Sequence, residues 1–389
     1  MPKRNDHIDV SRILFYGMTA LYFCLLWYLF YSELAVYPTD PNYRFESDTY
    51  VHVKFALHDG FFHSLSAFVY LALSKLPFVN YTVSALLALI TAGTVILTER
   101  LIRILPGAED MPSWMVYITS FAFNLVMGFY VPFINKQHYI GYENANMWHN
   151  STYIFMRFFA VLTVYYFILL YKKPREFSAR TWILFTLSML LGTAFKASFF
   201  TVFAPFLAVV LLIDLVTKRL PFKRVFVIAL SVLPSLIVMA LQSAVLFNSV
   251  EKTSIVISPF TTFSQRGDHP KVTLVLSVLF LISVFVFNLK NVFKDRAYGL
   301  SVLFYAIGFL EAFLFAESGA RSLDSNFMWG YSSALFFAFI FAFVRGYKSF
   351  KEGCAPKWLF LIQCLILSWH AVSGVWHFVL LLQGFTYFA

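Results

Sequence analysis

Apolar runs of about 20 residues recur along this chain from one end to the other, separated by short polar breaks. Each is long enough to cross the roughly 30 Å hydrocarbon core of a bilayer as a helix. The chain therefore reads as an all-α, polytopic membrane protein, with residues 1–389 forming one domain. Composition agrees: 60% of residues are hydrophobic and 13% charged, and the 48 Phe and 22 Tyr lie outside the range of an ordinary soluble domain. The net charge of +10 does not point to nucleic acid, because the basic residues are scattered over short loops rather than gathered in one patch. Cys24, Cys354 and Cys364 have no metal-ligand spacing and lie in or beside apolar runs.

The charge pattern sets an expected topology. The first run, about 13–32, is too long for the apolar core of a signal peptide and lacks a small-residue cleavage site, so it reads as a retained helix. Lys3, Arg4 and Arg12 before it place the N-terminus in the cytoplasm. The next apolar stretch, 61–78, contains His63, Ser64, Ser66, Ser74 and Lys75, and reads as a juxtamembrane helix lying in the interface. With that choice the second span is about 81–98, and Arg100 and Arg103 fall inside. The remaining spans are expected at about 113–134, 152–171, 181–199, 201–217, 225–247, 272–289, 298–316, 328–345 and 358–383, eleven in all. The basic breaks "YKKPREFSAR", "TKRLPFKR", "NLKNVFKDR" and "RGYKSFKEGCAPK" then all lie on the cytoplasmic side, as the positive-inside bias requires. In the last run, "SWHAVSGVWHF" carries His370, Ser373, Gly374 and His377, polar and small groups that point to a break or to two half-helices.

Chemistry collects in the outer loops. They are 33–60, 135–152, 248–271 and 317–330, each with acids plus His, Arg or Trp, and together they can roof one cavity. The first holds "FESDTYVH", with Glu46 and Asp48 directly after the first span. Two residues apart, these acids diverge by about 200° on a helix, so only one points into a cavity unless the stretch is extended.

The order of features resembles the GT-C superfamily of membrane glycosyltransferases. It is carried by "FESDTYVH" in the first outer loop (33–80), by "HDGFFHSLSAFVYLALSKL" as a juxtamembrane segment, and by a second helix ending in "ERLIRIL". The resemblance covers roughly the first 105 residues in motif order, and the rest in helix number. It implies a sugar donor carried on polyprenyl phosphate, a glycan or lipid-linked acceptor, and an outer-loop carboxylate as base. Asp48, flanked by Tyr50 and His52, is the first candidate for that base; Glu46 is the substitute, or a partner orienting the acceptor. No cofactor is expected, although the two carboxylates could hold a divalent ion, as in some relatives.

A departing lipid phosphate calls for cations at the outer membrane boundary. Arg321 fits, or else pairs in its loop with Glu317. Lys196 stands near the outer end of its helix, where it lines a cavity, finds a partner or snorkels to the interface. Arg266 and Arg157 are further candidates. His149 and Trp148 suit sugar binding, although Trp148 also suits an aromatic belt and Asn150 also suits a helix cap. Asn326 and Trp329 could complete the cavity wall. Glu311, well within a span, faces a neighbouring helix or serves a proton pathway. Sequons occur at Asn80 and Asn150.

Two other functions remain open. A polysaccharide polymerase or ligase would lean on arginines in large outer loops, but here the loops reach only about 28 residues. A transporter or lipid flippase would bring paired repeats and midplane charges, and neither stands out. The expectation is thus a glycosyltransferase of cell-envelope polysaccharide biosynthesis, in a bacterial cytoplasmic membrane with its site on the outer face.

Overall fold

A computed structural model describes residues 10–39, 47–59, 64–172, 176–248, 254–264, 267, 269–319, 322 and 324–385. The chain begins with helix α1 (Val10–Tyr31), which continues as a wider turn through Val36 and a tighter one to Thr39. Two short helices follow, α2 (Asp48–Lys54) and α3 (Leu65–Leu73), before the long α4 (Val79–Ile104) and the short α5 (Ser113–Phe123). The middle of the chain forms α6 (Ser151–Lys172), α7 (Ala179–Phe195), α8 (Ser198–Val216), α9 (Phe222–Leu230) and α10 (Val232–Asn248). Strand β1 (Ile255–Ile257), α11 (Thr261–Ser264), α12 (Pro270–Ser277), α13 (Leu279–Asn288) and α14 (Asn291–Lys294) lead to α15 (Arg296–Leu314). Strand β2 (Phe315–Glu317), α16 (Phe327–Lys351) and α17 (Lys357–Leu382) complete it. The strands pair antiparallel, Ile255 opposite Glu317, as a small ribbon on an otherwise helical protein.

Several helices start where the sequence supplies a cap or a proline. Ser178 accepts from the Thr181 amide at the start of α7, and Asp295 from Tyr298 at the start of α15. Pro112, Pro221 and Pro356 immediately precede α5, α9 and α17, and Pro270 opens α12, positions where a missing amide costs nothing. One hydrophobic core runs from α1 to α17. Its centre is α16, buried along nearly its whole length and packed on α8, α13 and α15. Small residues allow that approach: a Cβ on Gly330 would stand 2.6 Å from the Ser198 carbonyl, and one on Gly308 would stand 2.8 Å from the Ala334 Cβ.

Among the described residues, eight helical stretches are long and apolar enough to span a membrane, and a ninth is added if α12 and α13, bent by 61° at Val278, count as one. The protein is an integral membrane protein of helical type. The eleven expected spans differ from this in three places. The span expected over 272–289 is the bent pair α12 and α13, and α7, in the span expected over 181–199, has only 17 residues. α3, in the stretch read as a juxtamembrane helix and not counted as a span, has nine residues and is too short to cross. The third span, expected over 113–134, is helical only to Phe123; its 11 residues rise about 16 Å. Beyond it, residues 124–150 form an irregular segment whose two ends, 124–130 and 141–150, are largely buried in the bundle, while Pro132, Phe133 and Lys136 between them are exposed.

That segment also explains the polar residues of the last helix, which is continuous and not broken. Irregular backbone away from water must find partners inside the protein. The Met127 carbonyl accepts from His370 Nδ1 at 2.7 Å, the Tyr130 amide donates to Ser373 Oγ at 3.2 Å, and Trp369 Nε1 donates to the Tyr130 carbonyl at 3.1 Å. Gly374 is bare because the Leu125 carbonyl lies against it: a Cβ there would overlap that oxygen. Asparagines satisfy the rest. Asn146 donates to the carbonyls of Phe123 and Val126, and Asn144 accepts from the Gly128 amide while donating to Tyr139 and Tyr142.

Candidate functional site

The segment 124–150 ends at α6, and there it meets the first polar loop. Ser47 caps α2 by accepting from the Thr49 amide at 3.1 Å, which makes Asp48 the first helical residue. The same short stretch is fastened across the bundle. The Thr49 amide and hydroxyl both donate to the His149 carbonyl, at 2.9 and 3.0 Å. Ser47 Oγ lies 3.2 Å from that carbonyl and 2.9 Å from Glu33 Oε2, a carboxylate with no exposed surface. Asp48 is thus held by its neighbours on either side, and its carboxylate is aimed at the start of α6.

There it meets Asn150. The Asn150 Oδ1 caps α6, accepting from the Tyr153 amide at 2.9 Å and the Thr152 hydroxyl at 2.7 Å. With its oxygen so used, its Nδ2 donates to Asp48 Oδ2 at 2.7 Å. His52, one turn along α2, places Nδ1 3.3 Å from Ser151 Oγ. Lys196, in the two-residue break between α7 and α8, reaches over the Trp329 ring with Nζ 4.4 Å from its centroid and 3.5 Å from Thr152 Oγ1. The His149 ring packs between Tyr139 and Trp329, at 5.0 and 5.8 Å. Asp48, His52 and Lys196 are all half-buried.

Electrostatics at Asp48 favour the anion. Burial pushes its carboxyl up, but the charges of His149 and His52, the Asn150 hydrogen bond and the Lys196 charge together outweigh this and hold it below its ordinary value of 3.8. The amino ends of α2 and α6 add partial positive charge on the same side. A carboxylate so held can accept a hydrogen bond, and then a proton, from a hydroxyl that approaches it.

The other candidates fall into four groups. Glu317, at the end of β2, accepts from Asn326 Nδ2 at 2.6 Å; Asn326 lies three residues before Trp329 along the chain. Trp148 is turned inward, 2% exposed, with Nε1 donating to the Tyr22 hydroxyl at 3.0 Å. Arg157 is likewise in the core, against Asn124 Oδ1 at 3.2 Å and 4.0 Å from the centre of the Phe336 ring. Neither is part of the Asp48 cluster. Glu311 takes the plainer of its two expected roles, accepting from Thr201 of α8 at 2.7 Å. Glu46, Arg266 and Arg321 lie outside the described residues, so the pairing expected between Arg321 and Glu317 and the choice between Glu46 and Asp48 are not addressed by the geometry. Sequence reading missed Asn150 as the partner of Asp48, because a cap and a sequon already accounted for an asparagine at that place. Glu33 was also missed; a lone acid just after the first apolar run was its signal.

Among the described residues no group of three or more His, Cys, Asp or Glu could hold a metal ion. No family model, curated protein or solved structure matches this chain. The function is therefore argued from its own residues.

Proposed function

We propose that this protein is a membrane glycosyltransferase, moving a sugar from a polyprenyl-phosphate donor to a glycan or lipid-linked acceptor on the extracytoplasmic face. In this reading the bundle is GT-C-like, with α2 and α3 as the juxtamembrane loop. The observation that carries it is the setting of Asp48: an ionised, half-buried carboxylate gripped by Asn150, with His52, His149 and Lys196 around it. Asp48 takes the proton of the acceptor hydroxyl as its oxygen attacks the anomeric carbon. The bond from that carbon to the phosphate oxygen breaks, and polyprenyl phosphate leaves with the electron pair. Displacement in one step inverts the anomeric centre. Lys196, held over Trp329 at the membrane end of two helices, offsets the charge gained by the leaving phosphate. His149 and His52 keep the base ionised and hydrogen-bond the sugar or acceptor.

The test is release of free polyprenyl phosphate from a panel of polyprenyl-phosphate sugars, with and without acceptor glycans, by the purified wild type and by Asp48→Asn and Glu46→Gln. Release by the wild type that is lost in Asp48→Asn supports the reading. Loss in Glu46→Gln alone keeps the reaction and moves the base. A wild-type protein that releases nothing from any donor overturns it.

A further inference from the structure

The end of the bundle opposite Asp48 holds a cavity of about 280 Å³ that the proposed reaction does not use. It lies where α6 ends, α15 begins and the chain turns out of α8. Lys172, Arg219 and Arg296 line it, and no acid does. Arg296 NH2 reaches both oxygens of fully buried Asp214 at 2.7 Å, which cancels one of these three charges. Lys172 and Arg219 are exposed and leave two positive charges at the mouth. Lys172 ends α6, Arg296 opens α15 and Arg219 lies in the turn that follows α8, all at one end of these helices, whereas the rest of the lining is dominated by phenyl groups such as Phe167, Phe203 and Phe304 deeper along the same helices.

The other flank of α15 provides the contrast. A second cavity, about 290 Å³, is equally apolar, but none of its lining residues is charged. Both volumes are near the lower limit of ligand pockets, roughly 300–1,000 Å³, and suit a length of one hydrocarbon chain. Membrane lipid of any kind can fill the second. The first adds cations where a headgroup would lie.

We propose that the cavity between α6, α8 and α15 is a binding site for an anionic phospholipid. One acyl chain lies among the phenyl groups, and the phosphate rests on Lys172 and Arg219. A free phosphate would leave the apolar body empty, and a zwitterionic lipid would bring its own cation to a site that already has two. The assignment is independent of the proposed reaction.

Native mass spectrometry of the detergent-purified full chain tests it, with phosphatidylglycerol and phosphatidylcholine of identical acyl chains as probes. The wild type should retain phosphatidylglycerol about tenfold or more over phosphatidylcholine, as two basic groups near a membrane surface would give. Lys172→Gln with Arg219→Gln, both at exposed positions that tolerate exchange, should abolish that preference. Leu300→Trp, which fills the cavity and leaves the cations, should lower retention of both lipids. Lys290→Gln with Lys294→Gln, exposed at the same end but outside the cavity, should keep the preference. Equal retention of the two lipids by the wild type, or an undiminished preference in the Lys172→Gln/Arg219→Gln variant, would overturn the site.

Discussion

The two ends of the bundle handle charge differently. At the end away from Asp48, Arg345, Lys348 and Arg296 are tied to acids in direct pairs, while Lys172 and Arg219 stay exposed. Arg345, 5% exposed, contacts Asp295 at 3.1 Å, Asn288 at 2.9 Å and Ser349 at 2.8 Å, while Lys348 reaches Asp295 at 3.2 Å. Arg296 and Asp214 form a second pair across α15 and α8. At the Asp48 end the carboxylate is instead hydrogen-bonded to a neutral amide and surrounded by histidines and a lysine that act on it at longer range. Direct ion pairs lock helices and leave no group available for a proton. A carboxylate fixed by backbone and amide contacts keeps its place and stays ionised, with an oxygen free to accept a hydrogen bond. The contrast is between an end whose charges hold helices together and an end whose carboxylate is held ionised beside histidines and a lysine.

Four substitutions break or sharpen that contrast, from the largest effect down. Asp48→Asn should lower glycosyl transfer by about 10²–10⁴-fold while thermal stability stays near that of the wild type, measured by turnover and by unfolding in detergent. Arg345→Met should do the opposite, costing about 3–5 kcal/mol of stability because Asp295 and Asn288 lose a buried partner. Gly374→Ala should cost at least about 1–3 kcal/mol, since its Cβ meets the Leu125 carbonyl and forces the 124–150 segment off α17. Equal melting curves for Gly374→Ala and wild type would refute that packing. Asn150→Ala is the mildest, about 0.5–2 kcal/mol through its helix cap. It should also move the acidic limb of the pH–rate profile upward, because the hydrogen bond that helps hold Asp48 below 3.8 is gone.

The pH dependence follows with its sign. Asp48 and Asp295 are both held below the ordinary carboxylate value of 3.8; at Asp295 burial works upward, but the Tyr298 amide, Lys348 and Arg345 outweigh it. Their contribution to stability is therefore complete above about pH 5 and is lost progressively as pH falls through 3.8 and then through the depressed folded values. Acid titration of the wild type should show no loss of stability from these groups until below that point. Arg345→Met, which brings Asp295 back toward its ordinary value, should show a smaller acid-linked loss over the same range, from a lower starting stability.

Much of the site was legible before the structure. Asp48, His52, His149 and Lys196 were named from residue type and from their places at the ends of apolar runs, and the folded chain brings these four together. Trp148 was named by the same reasoning and is instead a core residue, because an indole beside a helix start serves packing as readily as recognition. Asn150 escaped because the direction of its amide is set by what its oxygen caps, which no spacing rule conveys.

Read alone, the sequence determined that the chain is helical, that it belongs in a membrane, and where most of its long helices run. Those follow from apolar burial and helix caps, which are summed over neighbouring residues. The tertiary structure decided that residues 124–150 enter the bundle without forming a helix, that α17 stays unbroken, and that Asp48 faces Asn150. Each rests on a polar group meeting a partner more than 100 residues away, such as Tyr130 with Ser373 across 243 residues. A hydropathy window scores His370, Ser373 and Gly374 as a defect in a span; only the backbone lying against them turns that defect into a seat.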